Sequence, residues 1–139
     1  MAFSNSYGLL VADFNPYLSR KQQIGLTNDG CVDPDSGTVD ETILEPLLND
    51  AIGTVESFLR KNYVTPFVNA SLVITLPAEI KGMMIRLAIY FLCQRKNIMN
   101  DLRETQYIAD MDRLKEWERD DDTYQRFNIK GVRAVRKNK

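Results

Sequence analysis

Two stretches decide the fold: DETILEPLLNDAIGTVESFL, residues 40–59, and PAEIKGMMIRLAIYFLCQRK, residues 77–96. In the first, Ile43, Leu44, Leu47, Leu48, Ala51, Ile52, Val55, Phe58 and Leu59 recur at steps of three and four. That spacing lines one face of an α-helix. Asp40 or Thr42 is placed to cap its start. Pro46 lacks the N–H that a helix interior needs. The helix therefore starts near Thr42, with Pro46 in or just past the first turn, or it bends there. Arg60 and Lys61 fall at its end, where cations favour the helix dipole. In the second stretch, Ile80, Met83, Met84, Ile85, Leu87, Ala88, Ile89, Tyr90, Phe91 and Leu92 cover almost the whole circumference. A helix apolar on nearly all sides lies at the centre of a core or is wrapped by partners. Its apolar run is shorter than the ~20 residues a bilayer span needs, and Arg86 interrupts it. A buried helix of a soluble protein is the expectation.

Outward from this pair, a third long helix is predicted over residues 101–120. Leu102, Ile108, Met111, Leu114 and Trp117 mark one face, and Asp120, Asp121 and Asp122 oppose the dipole at its end. Residues 97–100 break the chain before it. Toward the N-terminus, Asn15-Pro16 reads as a cap and first helical residue of a short helix over 16–24. Residues 7–14 are read as a further turn or two, 27–38 as a loop rich in Asn, Asp, Gly and Pro, and 63–76 as a loop with one short extended piece. The expected fold class is all-α. It is a small helical bundle of three long helices plus one or two short ones, with an acidic loop and an extended basic C-terminal arm. The expected division is a helical domain, 1–122, and the arm, 123–139.

A chain of 139 residues is one domain's worth. It contains no histidine, which excludes Ser-His-Asp and Cys-His catalysis and His-ligated metals. Its two cysteines, Cys31 and Cys93, form no CxxC, so a zinc ribbon or disulfide framework is not expected and a reducing compartment is. Residues 1–10 lack the basic and apolar segments of a signal peptide. The acidic loop fits no EF-hand register: counted from Asp33, Gly37 falls at the fifth position and Leu44 at the twelfth, where the motif needs Gly at the sixth and Glu. No glycine-rich phosphate loop is present. No catalytic residue, metal or cofactor is expected, and the chain is not read as an enzyme.

The near-neutral total hides a polarity. Residues 1–122 carry a net charge of −7, and residues 123–139 carry +6 with no acid among them. Asp29, Asp33, Asp35, Asp40, Glu41, Glu45 and Asp50 form an acidic block without an intervening Lys or Arg. Opposed blocks point to contacts with nucleic acid or with another copy of the chain. Solvated surface is the plain alternative.

The features also come in a telling order. Ile24-Gly25-Leu26-Thr27-Asn28-Asp29-Gly30 leads into the acidic loop, then Asp40-Glu41, Leu44, Leu48, Asp50-Ala51 and Val55-Glu56-Ser57-Phe58-Leu59. Arg60-Lys61-Asn62-Tyr63 and Pro66 follow, then Pro77, an apolar helix with Tyr90 and Arg95, and a charged helix with Trp117. This order resembles the Mu-like-prophage family of small helical phage proteins, which is similar to the head–tail connector proteins (adaptor or head-completion proteins) of tailed bacteriophages. The resemblance spans residues 24–117. An apparent insertion at 69–76 and a longer basic tail depart from the family pattern.

The resemblance implies a structural, non-enzymatic head–tail adaptor. Such a protein forms a closed ring of about twelve subunits under the portal protein, extends the channel for genomic DNA and docks the next neck or tail-completion protein. It implies a place at the head–tail interface of the virion, assembly in the host cytoplasm and no membrane partner. In that setting Arg126, Phe127, Lys130, Arg133, Arg136, Lys137 and Lys139 are the residues expected to meet portal, neighbouring subunit or DNA. Asp29, Asp33, Asp35, Asp40 and Glu41 are expected to face the channel or a subunit contact. The competing reading is a small helical nucleic-acid-binding protein that uses its basic tail on phosphates. An overall pI near 5.5 weighs against it. A regulatory or chaperone-like helical module is a third.

Overall fold

A computed structural model describes residues 5, 7–29, 37–60 and 76–119. A 3₁₀ turn, Val11–Phe14, precedes four helices: α1 (Arg20–Thr27), α2 (Glu41–Leu59), α3 (Ala78–Lys96) and α4 (Asp101–Arg119). No strand occurs among the described residues. The fold is all-α, with three long helices and two short helical pieces. No helix among them is long and apolar enough to cross a membrane. The extended piece expected within 63–76, the end of the third helix at Asp120 and the basic arm lie outside the described residues.

The central element is α3. Ile80, Met83, Met84, Ile85, Leu87, Ala88, Ile89, Leu92 and Cys93 are all buried, because α1, α2 and α4 pack around the helix. The all-round apolar pattern thus reports a core position within one chain. Its most extensive neighbour is α2, which contributes Leu44, Leu48, Ala51, Ile52, Val55 and Leu59. Asp40 caps α2 by accepting from the Thr42 N–H at 3.0 Å. Pro46 lies just past the first turn, on the exposed side, so its missing N–H leaves no buried carbonyl behind. At the far end of α3, Asn97 takes the left-handed conformation, φ 55°, which asparagine tolerates. The Ile98 N–H reaches back to the Cys93 carbonyl at 3.0 Å. This is a Schellman closure, and it turns the chain into α4 within four residues.

Two predicted details are corrected. The short helix begins at Arg20 rather than at Pro16. Ser19 and Gln22 form a reciprocal capping box, Gln22 N–H to Ser19 Oγ at 3.1 Å and Ser19 N–H to Gln22 Oε1 at 2.9 Å. Two satisfied amides fix the start, and Asn15 instead accepts from Gln23 Nε2 at 2.9 Å. The helix also runs on past Ile24 to Thr27. The second correction concerns α4. Leu114 and Trp117 are buried as predicted, but Leu102 and Ile108 are 61% and 57% exposed. The inward stripe is Tyr107, Asp110, Met111, Leu114 and Trp117, with an acid at its middle.

That acid answers Arg86. The guanidinium donates twice to Asp110, Nε to Oδ2 at 2.8 Å and a terminal nitrogen to Oδ1 at 3.0 Å. The side chains are 22% and 10% exposed. The Asp110 hydrogen bonds push the Arg86 pKa up against the opposing effect of burial, and Tyr17 adds to the rise. Gly82 makes the room: a Cβ there sits 3.0 Å from an Arg86 nitrogen and 3.1 Å from the Tyr17 hydroxyl. Tyr90 on α3 stacks on Tyr107 of α4, ring centroids 4.0 Å apart.

Asp110→Ala strands a largely buried guanidinium, and its expected cost is about 2–4 kcal/mol in urea unfolding. The double variant Arg86→Met/Asp110→Leu leaves no charge behind and is expected to lose less than Asp110→Ala alone. A double variant as damaged as the single one would refute this account of the pair.

Candidate assembly surface

The acidic loop is closed at its base by a short hydrogen-bond chain. Thr27 donates its hydroxyl to the Gln23 carbonyl at 2.8 Å and accepts the Asp40 N–H at 3.0 Å. The Asn28 side-chain amide donates to the Thr38 carbonyl at 3.0 Å. These bonds bring Asn28, Thr38, Asp40, Glu41 and Glu45 around an open cleft of about 360 Å³. Asp40 is engaged as the cap of α2, and Glu41 stands in the first turn of the same helix, where its charge suits the dipole.

Asp29 turns back onto the protein. Its carboxylate takes two hydrogen bonds from Arg95, at 2.8 and 3.0 Å, and one from Lys96 Nζ at 3.0 Å. Arg95 also donates to the Leu26 carbonyl at 2.6 Å, so one side chain ties the end of α1 to the last turn of α3. The hydrogen bonds from Arg95 and then Lys96 hold the Asp29 carboxyl well below the usual carboxylate range. Of the acids named from sequence, Asp29, Asp40 and Glu41 are thus gathered at one end of the bundle, two of them with partners in their own chain. Asp33 and Asp35 lie outside the described residues, as do Arg126, Phe127, Lys130, Arg133, Arg136, Lys137 and Lys139.

A second surface, not read from sequence, lies between α1 and the α3–α4 turn. It is a groove of about 280 Å³ lined mainly by Leu18, Gln22, Gly25, Leu26, Cys93 and Ile98, with Arg103 at its edge. Cys93 is buried, and burial pushes its thiol pKa up against the opposing pull of Arg103. The thiol stays protonated and acts as apolar wall. Ile98 is 55% exposed at the groove. The sequence signals were slight: Gly25 falls just past the predicted end of the short helix, and Ile98 sits in the break before the third long helix. No group of His, Cys, Asp or Glu suited to a metal ion occurs among the described residues. Apolar walls, the amides of Gln22 and Asn100 and one cation line it.

A family model described as Bacteriophage Mu, Gp36 matches residues 11–121. The match takes in every helix described above, and the chain belongs to that family. No curated protein and no solved structure matches the chain.

The Asp29 bridge has a pH signature. A carboxyl lowered by folding stabilises fully above its unfolded value, about pH 3.9, and loses its effect as pH falls toward the folded value. Asp29→Asn is expected to lower the melting temperature at pH 7. The gap from wild type narrows steadily below about pH 4 and shrinks in 1 M salt. Melting curves at pH 7, 4 and 2 check this; a gap independent of both pH and salt would remove the bridge as its source.

Proposed function

We propose that this member of the Bacteriophage Mu Gp36 family is a structural head–tail adaptor. It is a subunit of a ring that sits under the portal, extends the DNA channel and docks the next neck or tail protein. The observation that carries the reading is the family match over residues 11–121, joined to the adaptor resemblance of the ordered sequence features. The charge distribution supports it. Arg86, Arg95 and Lys96 are satisfied within the bundle by Asp110 and Asp29. The +6 arm of residues 123–139 has no acid of its own. An arm of that charge suits the acidic surface of a portal or of a neighbouring subunit, and the acids at the start of α2 suit a channel wall that DNA slides past. The place of action on this reading is the head–tail interface of the virion, reached by assembly in the host cytoplasm.

The test is to mix the purified protein with the assembled portal encoded in the same genome and to image the product by electron microscopy. The expected result is a ring of added density under the portal. Deleting residues 123–139 is expected to weaken that docking about ten-fold or more, with steep salt dependence. No added density, together with DNA binding by the free protein that falls steeply with salt, would replace the adaptor reading with the nucleic-acid one.

A further inference from the structure

We propose that copies of this chain join head to tail, the outer ridge of α4 from one copy seating in the α1/α3–α4 groove of the next. The inference rests on the ring reading and names the two surfaces that form the repeating contact. It starts from Gly25. Glycine inside a helix costs stability relative to alanine, and something must offset that cost. Gly25 has ordinary helical backbone, and a Cβ built on it meets no described atom within 4 Å. Neither a turn nor a close internal approach asks for glycine there. The missing side chain leaves the groove open at the subunit surface.

The occupant is argued from charge and shape. Lys21 lies one turn before Gly25 on the same side of α1, and Arg103 stands at the groove's edge. Neither is paired with a carboxylate among the described residues. The groove is therefore part apolar and part amide, with Arg103 in its wall and Lys21 beside it. Glu104, Ile108 and Asp112 follow one another at four-residue steps along the outer side of α4, and Ile108 is 57% exposed. Glu104 and Asp112 also lack an ion-pair partner among the described residues. An apolar knob between two acids is the complement of that groove. The chain's own basic arm is the wrong sign for it, since Lys21 and Arg103 repel it.

The two surfaces also point apart. At 100° per residue, Ile108 lies ~140° around α4 from Arg103. A ridge and a groove on separate sides of one subunit suit a heterologous contact that repeats from copy to copy and closes into a ring when the rotation permits.

The test uses two full-length variants. Gly25→Leu fills the groove between its own walls, and no described atom lies within 4 Å of the new Cβ. Ile108→Lys alters an exposed side chain. Both are expected to keep the wild-type helical circular dichroism and a melting temperature no lower than wild type's. Added singly to portal, each is expected to form rings at least ten-fold less well. Mixed in equal amounts, they are expected to give one-to-one heterodimers and nothing larger by sedimentation velocity, because one brings an intact ridge and the other an intact groove.

Wild-type rings on portal with both variants assembling normally would overturn this contact and leave the adaptor reading standing. So would a loss in Gly25→Leu with none in Ile108→Lys, which means another occupant, or two defective variants that form no mixed dimer. A wild-type protein that neither binds portal nor self-associates would sink the adaptor reading, and the head-to-tail contact with it.

Discussion

Arg86 is the constraint on which the arrangement of helices depends. It sits in the middle of the most buried helix, among mostly apolar neighbours, and a guanidinium there must be answered by a carboxylate with good geometry. Among the described residues Asp110 provides it, through two parallel hydrogen bonds. That pairing fixes the rotation of α4 about its own axis: with Asp110 turned inward, Leu114 and Trp117 follow it into the core one and two turns later. It also bears on α3, since the guanidinium folds back over Gly82 and comes within 3.0 Å of where a Cβ would sit. Hydrophobic burial alone is non-directional. The ion pair supplies the direction.

The same point explains what the sequence could and could not reveal. The helices α2 and α3 were legible because their apolar residues repeat at the helical period over nearly twenty positions, a signal that survives one proline and one arginine. The inward face of α4 was not. Its apolar residues are few, and two of them, Leu102 and Ile108, point outward. The true face passes through an aspartate, which periodicity counts as polar. Reading Arg86 as a charge in need of a partner, rather than as an interruption, would have singled out Asp110. The start of α1 was misplaced for a related reason. Asn15-Pro16 is a plausible cap by residue type, but Ser19 and Gln22 satisfy two amides reciprocally, and the better-satisfied start prevails.

Of the candidate site, the acidic end was legible as a cluster but not as a set of roles. Asp29 was read only as charge facing the channel or a subunit contact, and Asp40 also as a candidate cap of α2. The structure gives one to the last turn of α3 and the other to the first turn of α2. A carboxylate next to a helix terminus has a local use before it has an external one, and sequence cannot tell which cation on a distant helix will arrive beside it. Arg95 lies 66 residues from Asp29 in the chain.

An exposed isoleucine or leucine is ordinary on any protein surface, and Ile108 alone would carry no argument. The weight comes from a mismatch of a different kind. Gly25 weakens a helix of only eight residues, the class of element with least stability to spare, and returns nothing to its own subunit in packing or turn geometry. A monomer selected for stability alone gains by replacing it. Keeping it makes sense where the space beside it is filled in the functional state, as between neighbours in an assembly. On that view the internal ion pairs and the apolar groove divide the work. Asp110 and Asp29 silence the cations that position the helices, whereas Lys21, Arg103, Glu104 and Asp112 form no ion pair among the described residues, and on the head-to-tail proposal they would set the register between copies.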